Sequence, residues 1–188
     1  LHRKEAIRLK MRVYRCLICG DAYVGYEKPT NCPFCGAHEE YIVEAAKWED
    51  RNKGVSLTEI SKKNLEKALE LEMSNSAFYR CAAENATDIV VQAMFKALAK
   101  IEAEHASTIC KVLGIPKPDI SKVQVHCSKN DIENLKESTE RETRASNFYA
   151  QAGEEATEPR VKELFMALVE IEKDHLDLDH QQLERLEG

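Results

Sequence analysis

The chain has 188 residues, enough for one ordinary domain or for a small domain beside a larger one. Hydrophobic residues make up 43% and charged residues 32%, the balance of a soluble helical protein with a real core. The formal net charge of −6 argues against nucleic acid and anionic membrane as partners, because like charges repel. No apolar run is long enough to cross a bilayer, and no signal-peptide core precedes a small-residue cleavage site. The cytoplasm is therefore the default location.

The first twelve residues are locally basic (His2, Arg3, Lys4, Arg8, Lys10, Arg12) and read as a solvated end. Residues 11–41 are rich in Cys, Gly, Pro and Tyr, lack helical periodicity and read as a small metal-held knuckle domain. Within them, Cys16-Leu-Ile-Cys19-Gly20 and Cys32-Pro-Phe-Cys35-Gly36 are two C-x-x-C knuckles. Each offers two thiolates to a tetrahedral ion, and the following glycine lets backbone N–H groups turn toward sulfur. Tetrahedral sulfur suits zinc and iron alike, and taken alone the knuckles favour a zinc ribbon. His38, just past the second knuckle, is expected to face solvent. Residues 42–55 read as a polar linker, and Ser56 with Glu59 forms an S-x-x-E capping box that starts a helix.

From there the composition shifts to Ala, Leu, Glu and Lys. Leu65, Leu69, Glu72, Ser76, Tyr79 and Ala83 recur in steps of three and four, the inward face of a first helix. Thr87 is the expected cap of a second, with the stripe Val91, Phe95, Leu98, Glu102, His105 and Ile109, ended by Gly114. Residues 114–130, with Pro116 and Pro118, form a long crossover. A third helix is expected from about Asp131 to Gly153. A fourth starts near Thr157, with Pro159 in its first turn, and runs almost to the end.

A shift of 70 residues lays one helix pair on the other without a gap. Glu72, Ser76, Phe78, Tyr79, Phe95, Leu98, Glu102 and His105 meet Glu142, Ser146, Phe148, Tyr149, Phe165, Leu168, Glu172 and His175. Two related hairpins joined by one crossover predict a four-helix bundle with an approximate internal two-fold axis. Glu72, Glu102, His105, Glu142, Glu172 and His175 all fall on the apolar stripes. Buried carboxylates facing one another are untenable without cations between them.

Spacing supports two metal ions. In Glu102-x-x-His105 and Glu172-x-x-His175, ligands at i and i+3 share a helix face. With Glu72 and Glu142 they match the ferritin-like di-metal pattern. Glu102 and Glu172 are the expected bridges. Glu72 with His105, and Glu142 with His175, are the expected terminal ligands. Carboxylates with one imidazole per metal suit iron or manganese. Tyr79 and Tyr149 lie two turns past Glu72 and Glu142, placed to hydrogen-bond a ligand or supply a proton, or equally to serve as core aromatics. Asp177-x-x-His180 has no counterpart in the other half and reads as surface, as do Glu70 and Glu140. Cys81 and Cys110 read as small core or near-surface residues, and His126-Cys127 as an ordinary part of the crossover, with metal binding or reaction with oxidants as the alternative.

Residues 12–41 resemble a short rubredoxin-like domain, through C-x-x-C-G, Tyr23-Val24-Gly25, Pro29, C-P-x-C-G-A and Tyr41. Residues 56–186 resemble the rubrerythrin di-iron domain, through Glu72 with Tyr79, Glu142 and the two E-x-x-H motifs. The implied fold is mainly α, a ferritin-like four-helix bundle over residues 56–188 with an N-terminal rubredoxin-like knuckle over residues 11–41. The knuckle comes first, as in reversed-order rubrerythrins. Position 145, where many rubrerythrins carry an additional glutamate ligand, is Ala145, so six ligands are expected.

The resemblance implies iron at both sites, an Fe(Cys)4 centre held by Cys16, Cys19, Cys32 and Cys35 and a di-iron centre in the bundle. It implies a peroxidase of anaerobic or microaerobic microbes. That enzyme would reduce hydrogen peroxide with electrons from an NAD(P)H-dependent rubredoxin-type reductase. It also implies a homodimer in which the cysteine iron of one subunit approaches the di-iron site of its partner. Two other readings stand beside it: a ferritin-like ferroxidase or iron-handling protein, and a zinc-ribbon interaction module on a structural bundle.

Overall fold

The computed structural model describes residues 10–188. Most of the basic N-terminal run therefore lies outside the described residues. The chain opens with β1 (Arg12–Cys16) and β2 (Ala22–Gly25), and β3 (Ile42–Glu44) completes a sheet ordered β2-β1-β3. Both pairings are antiparallel, with Tyr14 opposite Tyr23 on one side and Glu44 on the other. Along β1, Tyr14 and Cys16 alternate inward while Val13 stays exposed.

The linker expected over residues 42–55 belongs in part to this unit. Ile42 is buried under the sheet, Trp48 Nε1 donates to the Cys16 carbonyl at 3.0 Å, and Asn52 Nδ2 donates to the Ile18 carbonyl at 3.0 Å. The Arg15 guanidinium stacks 3.3 Å from the Trp48 ring centroid. A three-strand sheet this small buries little, so it takes its third strand and a covering aromatic from the segment that follows.

Four long helices make the bundle: α1 (Glu59–Asn85), α2 (Ile89–Leu113), α3 (Asp131–Glu155) and α4 (Pro159–Glu187). Two helix starts differ from the sequence expectation. Thr58, not Ser56, caps α1, its hydroxyl accepting from Ser61 N at 3.3 Å. Asp88, not Thr87, caps α2, accepting from Val90 N and Val91 N at 2.9 Å. Thr87 instead donates to Asp131 at the start of α3, through N and Oγ1. Such a cap is set by the backbone's approach to the helix, and neighbouring Ser, Thr and Asp residues are equivalent to a sequence pattern. Gly114 ends α2 in the left-handed region at φ 68°, and Pro159 opens α4, both as expected.

The hairpins α1–α2 and α3–α4 pack face to face, with α1 against α3. The repeat is visible in the core. Tyr79 stacks on Phe95 with centroids 5.6 Å apart, and Tyr149 stacks on Phe165 at 5.9 Å. Among the described residues, no helix is long and apolar enough to cross a membrane.

The knuckle docks on the bundle of its own chain. Arg160 of α4 donates to the Leu17 and Ile18 carbonyls at 2.9 and 3.0 Å and to Asn52 Oδ1 at 2.7 Å. Lys111 of α2 donates to the Cys19 carbonyl at 2.7 Å. Gly36 comes so close to α4 that a Cβ there would lie 3.1 Å from Ile171 Cγ2.

Cys81 and Cys127 correct the sequence reading: they form a disulfide between α1 and the crossover. Both are half-buried, and the pairing was invisible because it joins residues 46 apart with no motif. Closing a loop of that length removes roughly 4 kcal/mol of chain entropy from the unfolded state. The Cys81→Ser/Cys127→Ser double variant should therefore melt about 10 °C lower than the oxidised protein by calorimetry. Equal melting temperatures would show that the bond contributes nothing.

Candidate metal centres

The four thiols of Cys16, Cys19, Cys32 and Cys35 converge from the two knuckles and are nearly inaccessible to solvent. Gly20 and Gly36 follow the knuckles at φ 88° and 78°. That backbone turn aims Ile18 N at Cys16 Sγ (3.3 Å) and Asp21 N at Cys19 Sγ (3.4 Å). Cys16 and Cys35 sulfurs lie 3.7 Å apart, and those of Cys19 and Cys32 lie 3.8 Å apart. A tetrahedron with metal–sulfur bonds of about 2.3 Å has edges of about 3.8 Å, so the cage has the size of one ion. Its electrostatics agree. Hydrogen bonds from Cys19, Cys32 and Cys35 pull the Cys16 thiol far down, while the Cys16 charge and its hydrogen bonds push Cys19 and Cys35 far up. All four ionise together only around a cation.

In the bundle, α1 brings Glu72, α2 brings Glu102 and His105, α3 brings Glu142, and α4 brings Glu172 and His175. All four carboxylates are 0% exposed. Their ligand atoms fall into two groups, Glu72, Glu102, His105, Glu172 and Glu102, Glu142, Glu172, His175, which share Glu102 and Glu172. His105 Nδ1 lies 3.4 Å from both Glu72 Oε2 and Glu102 Oε2. His175 Nδ1 lies 2.9 Å from Glu172 Oε2 and 3.3 Å from Glu102 Oε1. The two imidazoles face each other, 6.4 Å apart and nearly parallel.

Several of these atoms have no hydrogen-bond partner although they are buried: Glu72 Oε2, both oxygens of Glu102, His105 Nδ1, Glu142 Oε2 and Glu172 Oε1. Each is costly to leave unpaired, and all six belong to the ligand set. Burial and the Glu102 charge push Glu72 up to about 8, and burial with Glu102 and Glu142 pushes Glu172 well above the carboxylate range. Burial opposes charge on Glu102 too, but the neighbouring Glu72 carboxyl and the His105 and His175 imidazoles outweigh it and hold Glu102 low. The donor set, six carboxylate and imidazole groups with two shared carboxylates, fits a pair of iron ions. Ala145, buried beside the cluster on α3, offers no seventh ligand.

Around the cluster, the tyrosines cross between hairpins. Tyr149 Oη donates to Glu72 Oε1 at 2.6 Å, and Tyr79 Oη donates to Glu142. Tyr79 also meets Ser138 Oγ at 2.9 Å, and Ser138 donates to Asp179 Oδ2 at 2.6 Å. Asp179 is fully buried, with its carboxyl raised to about 8 by burial. Sequence reasoning missed it, although the stripe Leu168, Glu172, His175 continues to it by one more step of four. Its counterpart in the first half is Ile109, so the repeat gave no prompt. Asp177, His180, Glu70 and Glu140 are exposed, as expected. Cys110 is buried. His38 does not simply face solvent: its Nε2 pairs with Asp174 Oδ2 at 2.6 Å, which raises its pKa.

One hydrogen bond joins the two centres. His105 Nε2 lies 2.8 Å from the carbonyl of Cys35. With Nδ1 aimed at the carboxylates, the proton sits on Nε2 and is donated to that carbonyl. The resemblance implies a partner subunit's cysteine site beside the di-iron site. In this fold the chain's own knuckle lies against His105.

The metal-free protein should lose stability as pH rises. Glu72, Glu172, Asp179, His105 and His175 all have raised pKa values in the fold, against Glu102 alone lowered in the cluster. The folded chain thus binds more protons than the unfolded chain above the ordinary carboxylate pKa of about 4. Melting temperatures of metal-free protein should fall from pH 5 to pH 8, and iron loading should abolish or reverse the trend. A metal-free protein that gains stability over this range would contradict the geometry.

Comparison with known proteins agrees with this construction. The rubrerythrin family model matches residues 63–182. Reverse rubrerythrin-1 of Clostridium acetobutylicum is 32% identical over 116 residues, which are 55% of this chain and 63% of that protein's length. The match thus spans less than two thirds of this relative. A hypothetical protein from Pyrococcus furiosus has a solved structure with TM-score 0.56 and 21% identity, covering 66% of this chain and 88% of that one. This last likeness shows the fold alone. The chain belongs to the rubrerythrin family, as an iron-binding protein whose cysteine knuckle precedes its bundle.

Proposed function

We propose that the protein is a non-haem di-iron peroxidase that reduces hydrogen peroxide to water in the cytoplasm, with electrons relayed through the Fe(Cys)4 centre. The observation that carries this reading is the hydrogen bond from His105 to the Cys35 carbonyl. It links a ligand of the bundle site to a ligand of the cysteine site through one short contact. A protein that only stores or oxidises iron needs no such link, so the ferroxidase reading leaves it unexplained. A zinc ribbon leaves it equally idle, because zinc has no redox chemistry.

Reduction of one peroxide takes two electrons and two protons, breaks the O–O bond and releases two waters. The iron pair, when bound, supplies the two electrons. The chain's own groups do the rest. Glu102 and Glu172, common to both ligand groups, would hold the two ions. Tyr149 and Tyr79 fix the orientation of Glu72 and Glu142 through their hydroxyls. The closed bundle excludes bulk water, leaving the carboxylates 0% exposed. The electron donor is an NAD(P)H-dependent rubredoxin-type reductase acting on a homodimer of this chain. Lys111 and Arg160 hold the knuckle in register against α2 and α4, which keeps Cys35 at His105.

The test is turnover with and without the relay. Iron-reconstituted protein should be red from oxidised Fe(Cys)4 and should consume peroxide with NADH and reductase. Cys35→Ser should lose reductase-driven turnover by about a hundredfold or more, while its chemically reduced iron pair is still oxidised by peroxide at a similar rate. Colourless protein after reconstitution, or wild-type protein that consumes no peroxide, would refute the reading.

A further inference from the structure

The two halves of the bundle repeat, but their surroundings do not. His105 and His175 are equivalent, and each turns Nδ1 toward the carboxylates. The outer edge of His105 is capped by Cys35. The outer nitrogen of His175 has no hydrogen-bond partner among the described residues, and His175 lines a cavity of about 210 Å³. The knuckle is the cause of this difference. Its Gly36 closes over Ile171 of α4, which is 1% exposed. The equivalent of Ile171 on α2, Ile101, is half-buried, and Ala97 one turn before it is exposed.

We propose that this cavity is the port through which a small, uncharged oxidant reaches the iron pair. Given the peroxidase reading, on which the identity of the oxidant rests, that molecule is hydrogen peroxide. The cavity is lined by Ala97, Leu98, Ile101, Ile171 and His175, with Gly36 of the knuckle at one side. Apolar walls cost a neutral molecule little and an anion much. Asp174 stands at the rim, paired with His38. At about 210 Å³ the cavity admits a molecule as small as hydrogen peroxide. The site is thus polarised, with its His105 end sealed against the electron relay and its His175 end open to the oxidant.

Ala97→Trp tests this. Ala97 lies on the outer face of α2 and touches neither metal centre, so a bulky side chain there plugs the cavity without entering the core. Two rates are read on the reduced iron pair by stopped flow: oxidation by hydrogen peroxide, and association of nitric oxide, which needs the same passage but no peroxide chemistry. Both should fall about tenfold or more, while reduction of Fe(Cys)4 by the reductase stays unchanged. Ile101→Ala, which widens the port, should speed oxidation by tert-butyl hydroperoxide relative to hydrogen peroxide. Unchanged rates in Ala97→Trp, with iron content and melting temperature intact, overturn the port. So does an Ile101→Ala variant with no change in selectivity. Should wild-type protein bind nitric oxide but never react with peroxide, the peroxidase reading fails. A slower nitric oxide rate in Ala97→Trp would then still support the port.

Discussion

Four carboxylates share the centre of this bundle, and their mutual repulsion governs the rest of the fold. Glu72, Glu102, Glu142 and Glu172 are cut off from water, and at such range like charges in a low dielectric repel by several kcal/mol per pair. Without cations the cluster reaches a compromise: Glu102 is held low, Glu72 and Glu172 are pushed up, and both histidines are driven toward the cationic form. Six ligand atoms still find no partner. Two metal ions answer every part of this at once, because they pair the orphaned atoms and release the protons. The crossed bonds from Tyr79 to Glu142 and from Tyr149 to Glu72 then act as fixtures that hold the ligands in place and tie one hairpin to the other.

A symmetric bundle would treat its two metals alike. The knuckle breaks that symmetry by docking on one side only. Arg160, Lys111 and the close approach of Gly36 to Ile171 bring Cys35 onto His105, while the outer edge of His175 is left facing a cavity. The second asymmetry is Asp179, which hangs a buried acid on the Glu142 and Tyr79 side through Ser138, where the first half has Ile109. Direction is therefore built into a site whose ligands repeat.

Much of this was legible in the chain because the chemistry sits on periodic positions. Polar residues on an apolar stripe, repeated at a fixed shift, name the six ligands, and the spacing of the cysteines names the other four. What escaped has a common physical cause: it depends on where non-periodic backbone goes. Residues 42–55 look polar and featureless, yet they supply a strand and the Trp48 cover. Thr58 and Asp88 outcompete Ser56 and Thr87 as caps through backbone geometry alone. The Cys81–Cys127 bond joins a helix to a crossover whose path no pattern encodes. Docking of the knuckle on its own bundle, with the cavity beside it, rests on the same unpatterned segments.

Anomalous scattering at the iron edge from crystals of iron-reconstituted protein tests the central claim most directly. Two adjacent peaks should lie between Glu102 and Glu172, one beside His105 and the other beside His175, with a third among the four cysteines. A bundle centre with no peaks, its carboxylates swung out to solvent or packed against hydrocarbon, would contradict the account.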